Sequence, residues 1–191
     1  VWFIDNMLNA LPEPNWFGNA SITITISDNN SATNSTIFNL EVISINDPPI
    51  LSEQIVVNLN EDTESLIVLS AQDIDNDPFE IFITDYPDFG NIINIDDEAL
   101  TILYQPIQNY NGLDFIEYRV NDGVDYSNIS PINIVINSVN DVPIAQDGFA
   151  ETNEDTSVNI TLSASDIDSG DLTYLLDQDS ADGFVSITES T

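Results

Sequence analysis

Two pairs of alternate aspartates, Asp73-Ile74-Asp75 and Asp166-Ile167-Asp168, and two Asn-Asp pairs, Asn46-Asp47 and Asn140-Asp141, carry most of the chemistry this sequence can offer. On an extended backbone residues i and i+2 point the same way, so each Asp-x-Asp sets two carboxylates side by side. Two such charges ~4 Å apart repel by roughly 4 kcal/mol at an effective dielectric of ~20. A hard cation turns that repulsion into attraction, and calcium takes about six to eight oxygen ligands from carboxylates, amides, backbone carbonyls and water. Asp, Asn and Glu at loop positions supply oxygen and nothing softer. The same residue types also make ordinary solvated turns, and recurrence is what separates the two readings.

The recurrence is plain. Ser44-Ile45-Asn46-Asp47-Pro48-Pro49-Ile50 returns as Ser138-Val139-Asn140-Asp141-Val142-Pro143-Ile144, 94 positions on. Asn60-Glu61-Asp62-Thr63 returns as Asn153-Glu154-Asp155-Thr156, and Asp73-x-Asp75 as Asp166-x-Asp168, both 93 positions on, so the second copy is one residue shorter after the prolines. Pro12, Asn15 and Gly18 match Pro106, Asn109 and Gly112, and Asp28 matches Asp122. A fixed period sets the architecture of an array. It divides the chain into the second half of a repeat (1–47), a complete repeat (48–141) and the first half of a third (142–191), and both ends read as cuts through a larger protein.

The elements that must position the acids are short strands. Ile67, Leu69 and Ala71 alternate with polar residues, as do Ile116, Tyr118 and Val120, and Ile132, Ile134 and Ile136. That period of two marks half-buried strands, predicted near 54–59, 65–71, 79–84, 91–95, 99–104, 114–121 and 131–139. Turn signals such as Tyr86-Pro87-Asp88, Asn111-Gly112 and Asp122-Gly123 fall between them. No amphipathic helix pattern competes. Seven strands at this spacing predict an all-β fold of tandem seven-stranded Greek-key sandwiches of the Ig-like kind, whose loops gather at the two ends of each sandwich. Acids of neighbouring repeats are therefore placed where they could meet at the junctions.

Composition narrows the function. The 191 residues hold 34 acids, one basic residue (Arg119) and no His or Cys, for a net charge of −33. Phosphate binding needs Lys or Arg to displace counterions, so nucleic acid is excluded as a partner. No apolar run reaches the roughly 20 residues that cross a bilayer as a helix, and no direct membrane insertion is expected. Without His, Cys or Lys there is no ordinary base, nucleophile or phosphate clamp, and acids recurring from copy to copy are not expected to be a catalytic pair, so no enzymatic activity is expected. Asp114 has Ala20 at its position in the first copy and reads as structural. Trp16 and Tyr110 share a position and suggest a packed corner; Trp2, Tyr86 and Tyr126 have no such pairing. Sequons at Asn19, Asn34, Asn128 and Asn159 carry little weight in an Asn-rich chain.

The Asn-Asp-x-Pro linker, the Asn-Glu-Asp segment, Asp-x-Asp and Asp122-Gly123, repeated in register, resemble the cadherin superfamily, and more closely the bacterial cadherin-like tandem repeats of large surface adhesins. The resemblance implies that Asn46, Asp47, Asp73, Asp75 and Asp122 share calcium ions at one junction, and Glu61, Asn140, Asp141, Asp166 and Asp168 at the next. Asp28 and Glu154 would serve two further junctions. Asp62 and Asp155 are secondary, because the family pattern calls mainly for the preceding Glu. The chain departs from that pattern at Tyr104-Gln105-Pro106, where cadherins carry further acids, and at Ser44 and Ser138, where they carry a linker Asp. Fewer anionic ligands imply weaker binding, about 10⁻⁴ to 10⁻³ M.

The expectation is a non-enzymatic, calcium-rigidified extracellular spacer or adhesion repeat of a cell-surface protein. Its partners would be calcium, adjacent repeats of the same chain, and surface glycans or other adhesin repeats. Two alternatives are a carbohydrate- or partner-binding module and an accessory domain of a secreted hydrolase.

Overall fold

The computed structural model describes residues 2–4, 7–52, 54–177 and 183–187, with the side chains of residues 2–4 outside that set. Every regular element in it is a strand. In the first copy, β1 (Trp2–Ile4) pairs with β2 (Met7–Asn9), and β3 (Gly18–Ser27) pairs with β4 (Thr33–Val42) along its whole length. The middle of the chain holds β5 (Ile50–Leu51), β6 (Ile55–Asn60), β7 (Ser65–Val68), β8 (Ala71–Gln72) and β9 (Glu80–Asp85). It continues with β10 (Gly90–Asp96), β11 (Thr101–Pro106), β12 (Gly112–Asn121) and β13 (Ser130–Asn137). Last come β14 (Ile144–Ala145) and β15 (Ala164–Ser165), which pair with each other.

The middle strands close a sandwich. One sheet runs β6-β13-β12-β9, with β6 parallel to β13, and the other runs β10-β11-β7; β5 and β8 add a short pair. The chain changes sheet between β7 and β9, between β9 and β10, and between β11 and β12, which is Greek-key traffic. Alternation supplies the two inner faces: Ile67, Ile102 and Tyr104 from one sheet meet Ile116, Tyr118, Val120, Ile132, Ile134 and Ile136 from the other, all buried. Burying each such side chain contributes about 1.5–3 kcal/mol, and every residue of this core lies between Leu51 and Ile136.

All seven predicted strands are present, with ends moved by one to a few residues, and two details differ. The segment predicted at 65–71 is split into β7 and β8, because the Leu69 amide leaves the ladder and donates to the carbonyl of Leu100 (2.8 Å), itself at a φ of 51°. β5 is additional, and at two residues it is too short to show a period. Its pairing, Ile50↔Gln72 and Leu51↔Ala71, is reproduced in the third copy as Ile144↔Ser165 and Ala145↔Ala164, so the one-residue difference in spacing is absorbed between the two strands.

Left-handed backbone explains several repeated residues. Asn15 and Asn109 have φ of 60° and 57°, Gly18 and Gly112 124° and 144°, and Asp62 and Asp155 59° and 60°. Asn, Asp and Gly tolerate this region best. Tyr110 stacks on Phe89 with centroids 4.2 Å apart, and its hydroxyl donates to the Leu113 carbonyl (3.0 Å), forming the expected packed corner in the middle repeat, whereas Trp16 at the matching position is exposed. A Cβ on Gly90 would lie 2.3 Å from the buried ring of Tyr104, so β10 crosses that ring only as glycine.

Candidate metal centre

Acids collect where the chain passes from β4 into β5. The bend after β8 holds Asp73, Asp75 and Asp77, each with a carboxylate oxygen within 4.8 Å of the others. The Asp75 amide donates to Asp73 Oδ1 (2.7 Å), folding the loop so that its acids converge. Linker and loop are tied together directly: the Asp47 amide donates to Asp75 Oδ2 (2.8 Å) and the Ser44 hydroxyl to Asp75 Oδ1 (3.4 Å). On the other side Asn46 Nδ2 donates to Asp122 Oδ2 (3.0 Å) and Asp125 Oδ2 (3.2 Å). One linker thus joins the loop after β8 to the loop after β12, and the five residues predicted for this junction come together there.

Asp122 is a turn cap as well as a junction residue. Its Oδ1 accepts from the amides of Asp125 and Val124, both at 2.7 Å. The Asp125 amide first, then the Asn46 side chain and the Val124 amide, hold its carboxyl below the ordinary range against the opposing effect of burial. Asp28 caps the equivalent turn, accepting from the amides of Asn30 and Ala32 (both 2.9 Å), and stands apart from any acid cluster among the described residues.

The second junction repeats two of these hydrogen bonds. The Asp141 amide donates to Asp168 Oδ2 (2.6 Å), and the Asp168 amide to Asp166 Oδ1 (2.8 Å). Glu61, itself buried, accepts from the Val139 amide, which ties the turn after β6 to this linker. Burial, and then Asp168, Asp62, Glu61 and Asp166 in decreasing order, push the Asp141 carboxyl above the ordinary range. Asn140 turns inward on its own linker, donating to the Asp141 carbonyl (2.6 Å). Glu154, the copy of Glu61, is exposed and joins neither cluster.

Two residues that the sequence did not single out as ligands, Asp77 and Asp125, and one it ranked second, Asp62, belong to these clusters. Asp77 extends the every-second-residue acids of Asp73 and Asp75, and Asp125 lies three positions after Asp122. Asp62 acts on Asp141 while its Oδ1 accepts from the Asn109 amide (2.9 Å). Asp114, by contrast, is consumed by the fold. It is buried, and accepts from the amides of Asp88 and Phe89 and from the Tyr104 hydroxyl (2.8 Å), whose pKa is raised by burial and then by this bond. The same bond gives Tyr104 a structural role at the place where the chain departs from the cadherin pattern of acids.

Two oxygens test whether a cation fits. Asp73 Oδ2 and Asp141 Oδ2, one at each junction, are buried atoms with no hydrogen-bond partner. A carboxylate oxygen removed from water without a donor is costly, and an oxygen-only donor set suits a hard ion such as calcium. Clefts of about 360 and 560 Å³, both lined by Asp47, one touching Asp75 and the other Asp73, leave the first junction open to solvent.

Residues 46–135 match a family profile described as Bacterial Ig domain. With the two sheets described above, the middle of the chain is an Ig-like β-sandwich, similar over that range to the profile. No curated protein matches the sequence. Among solved structures, Drosophila N-cadherin EC1-4 is similar over 82% of this chain and 43% of its own, at 16% identity and a TM-score of 0.47. An endo-fucoidan hydrolase of glycoside hydrolase family 107 is similar over 67% of this chain at 21% identity and a TM-score of 0.40. This chain spans only 20% of that hydrolase. Among the described residues no helix is long and apolar enough to cross a membrane.

Proposed function

We propose that this chain is a calcium-stiffened extracellular spacer of a larger surface protein, without catalytic activity, and that its units are residues 1–47, 48–141 and 142–191. The observation that carries the reading is the buried, partnerless Asp73 Oδ2 inside the Asp73–Asp75–Asp77 cluster, at the point where the incoming linker is hydrogen-bonded to Asp75. Asp73, Asp75, Asp77, Asp47, Asn46 and Asp122 would hold calcium at the first junction. Glu61, Asp141, Asp166 and Asp168 would do so at the second, with the carbonyl of Asn140 available beside them. Asp28 and Glu154 would contribute only against repeats outside this chain.

When bound, the ion supplies positive charge between carboxylates that otherwise repel. The chain's own residues set what that charge can do. Linker and loop already share hydrogen bonds, so neutralising the acids fixes an angle that the backbone has half defined, and one repeat is held in line with the next. At ~1 to 10 mM calcium and a Kd of ~0.1 mM, one site adds roughly 1.4 to 2.7 kcal/mol. Small-angle scattering and thermal melting across a calcium titration test this. The expected result is a longer, stiffer particle with a higher Tm, lost in Asp73→Ala/Asp75→Ala. A shape and Tm indifferent to both calcium and chelator would reduce the acids to ordinary turns.

A further inference from the structure

The two junctions are built on one repeat but do not carry the same acids. The loops after β8 and after β15 match position for position, with Asn76 against Ser169 and Asp77 against Gly170. Asn76 sits in left-handed backbone at a φ of 63°, whereas Ser169 does not. That bend carries Asp77 back toward Asp73. Its amide faces Asp73 Oδ1 at 3.5 Å, and the carboxylates of Asp73, Asp75 and Asp77 come within 4.8 Å of one another. In the third copy the Ser169 amide takes the place beside Asp166 Oδ1 (2.8 Å), and Gly170 offers no side-chain ligand. Asp171, one residue on, joins no such trio among the described residues.

A second difference lies in the turns that flank the junctions. The turn after β2 closes through the Trp16 amide on the Glu13 carbonyl, and the turn after β11 through the Tyr110 amide on the Ile107 carbonyl, both at 3.2 Å. One backbone shape thus presents Glu13 in the first copy and Ile107 in the middle repeat, and both side chains are exposed. Glu13 lines the cleft of about 360 Å³ that also holds Asp47 and Asp75. The Asn109 amide donates to Asp62 Oδ1 (2.9 Å), which sets the Ile107 turn beside the one that carries Glu61.

On the reading that calcium fills these junctions, we infer that the first binds it more tightly than the second, so that the chain stiffens in two steps as calcium rises. Most of the acids balance. Asp47, Asp73 and Asp75 answer Asp141, Asp166 and Asp168; the loop after β12 brings Asp122 and Asp125 to the first junction, and the turn after β6 brings Glu61 and Asp62 to the second. Glu13 and Asp77 remain as the surplus. Affinity for calcium follows the number of charged ligands and how firmly they are held. Two more anions also increase the repulsion inside the empty site, and so what the ion relieves on binding. Over the calcium range between the two half-filling points, the first linker is fixed while the second still hinges.

Calorimetric titration of the whole chain with calcium, one junction silenced at a time, tests this. In Asp166→Ala/Asp168→Ala the first junction should bind about tenfold or more tightly than the second does in Asp73→Ala/Asp75→Ala. Exchanging the surplus positions should move the affinity with them. Glu13→Ile/Asp77→Gly should weaken the first junction about tenfold, and Ile107→Glu/Gly170→Asp should strengthen the second by a similar factor. The latter pair has room, since Ile107 is exposed and a Cβ at Gly170 meets nothing within 4 Å. Equal affinities, a tighter second junction, or exchanges that leave both constants unchanged would overturn the inference while calcium binding stands. If neither junction binds calcium, the spacer reading itself falls, and this inference with it.

Discussion

The strand pair β3–β4 and the strand pair β12–β13 are the same piece of the repeat written twice, and they do not end in the same environment. Ile132 is fully buried, while Phe38 at the same repeat position is 52% exposed; Val120 is fully buried, while Ile26 is 67% exposed. Both pairs keep an antiparallel register, with Gly18↔Val42 and Gly112↔Ile136 at equivalent places. A strand pair therefore follows from local pattern, while burial follows from a second sheet. Only β12–β13 is covered by β7, β10 and β11 within the described residues.

The sharpest way to break that contrast is to delete the same side chain in both copies. Ile116→Ala should cost about 2–5 kcal/mol in urea unfolding, because the cavity is closed on every side. Ile22→Ala, at the matching and half-buried position, should cost less than about 1 kcal/mol. Equal losses would mean that the first pair is packed as tightly as the second. Next in size, Asp114→Ala should destabilise by about 3 kcal/mol, since it strands the Tyr104 hydroxyl and the amides of Asp88 and Phe89. Tyr104→Phe should cost about 1 kcal/mol. The first copy has Ala20 there and should be insensitive.

The junctions extend the comparison. Calcium should raise the Tm of the native chain, with roughly 1.4 to 2.7 kcal/mol per site at ~1 to 10 mM and a Kd of ~0.1 mM. Asp73→Ala/Asp75→Ala and Asp166→Ala/Asp168→Ala should each remove only their own share in calorimetry. The smallest effect is on pH. Asp122 is held below the ordinary carboxylate range, so its stabilising contribution is present above the unfolded-state value and lost as pH falls through its lowered one. Asp141 is pushed above that range, so its contribution has the opposite sign: present below the unfolded value and lost as pH rises through the raised one. Without calcium, NMR titration should find the two carboxyls on opposite sides of the ordinary value. Calcium should pull Asp141 down, and binding at the second junction should weaken as that group protonates.

Much of this was legible in the sequence. Period-two alternation located the main strands, and the linkers and Asp-x-Asp pairs pointed to two places where acids gather, because side-chain direction on a strand and hydrogen bonding in a short turn are local properties. The first of these places brings three carboxylates within 4.8 Å of one another among the described residues. The sequence overlooked residues whose role depends on folding. Asp125 reaches Asn46 only because the loop after β12 lies against the linker, across 79 residues of chain. Asp28 and Asp122 cap the same turn, but only Asp122 meets that linker.

By itself, then, the sequence determined the repeat, the strand class, the main turns and the oxygen-only donor set, all of which depend on neighbours a few residues apart. The tertiary structure decided which copy has a closed core, which acid the core consumes and which carboxylate oxygens are left without donors. Those outcomes depend on burial and on charges brought together from distant parts of the chain, and spacing along a sequence does not encode distance through a low-dielectric interior.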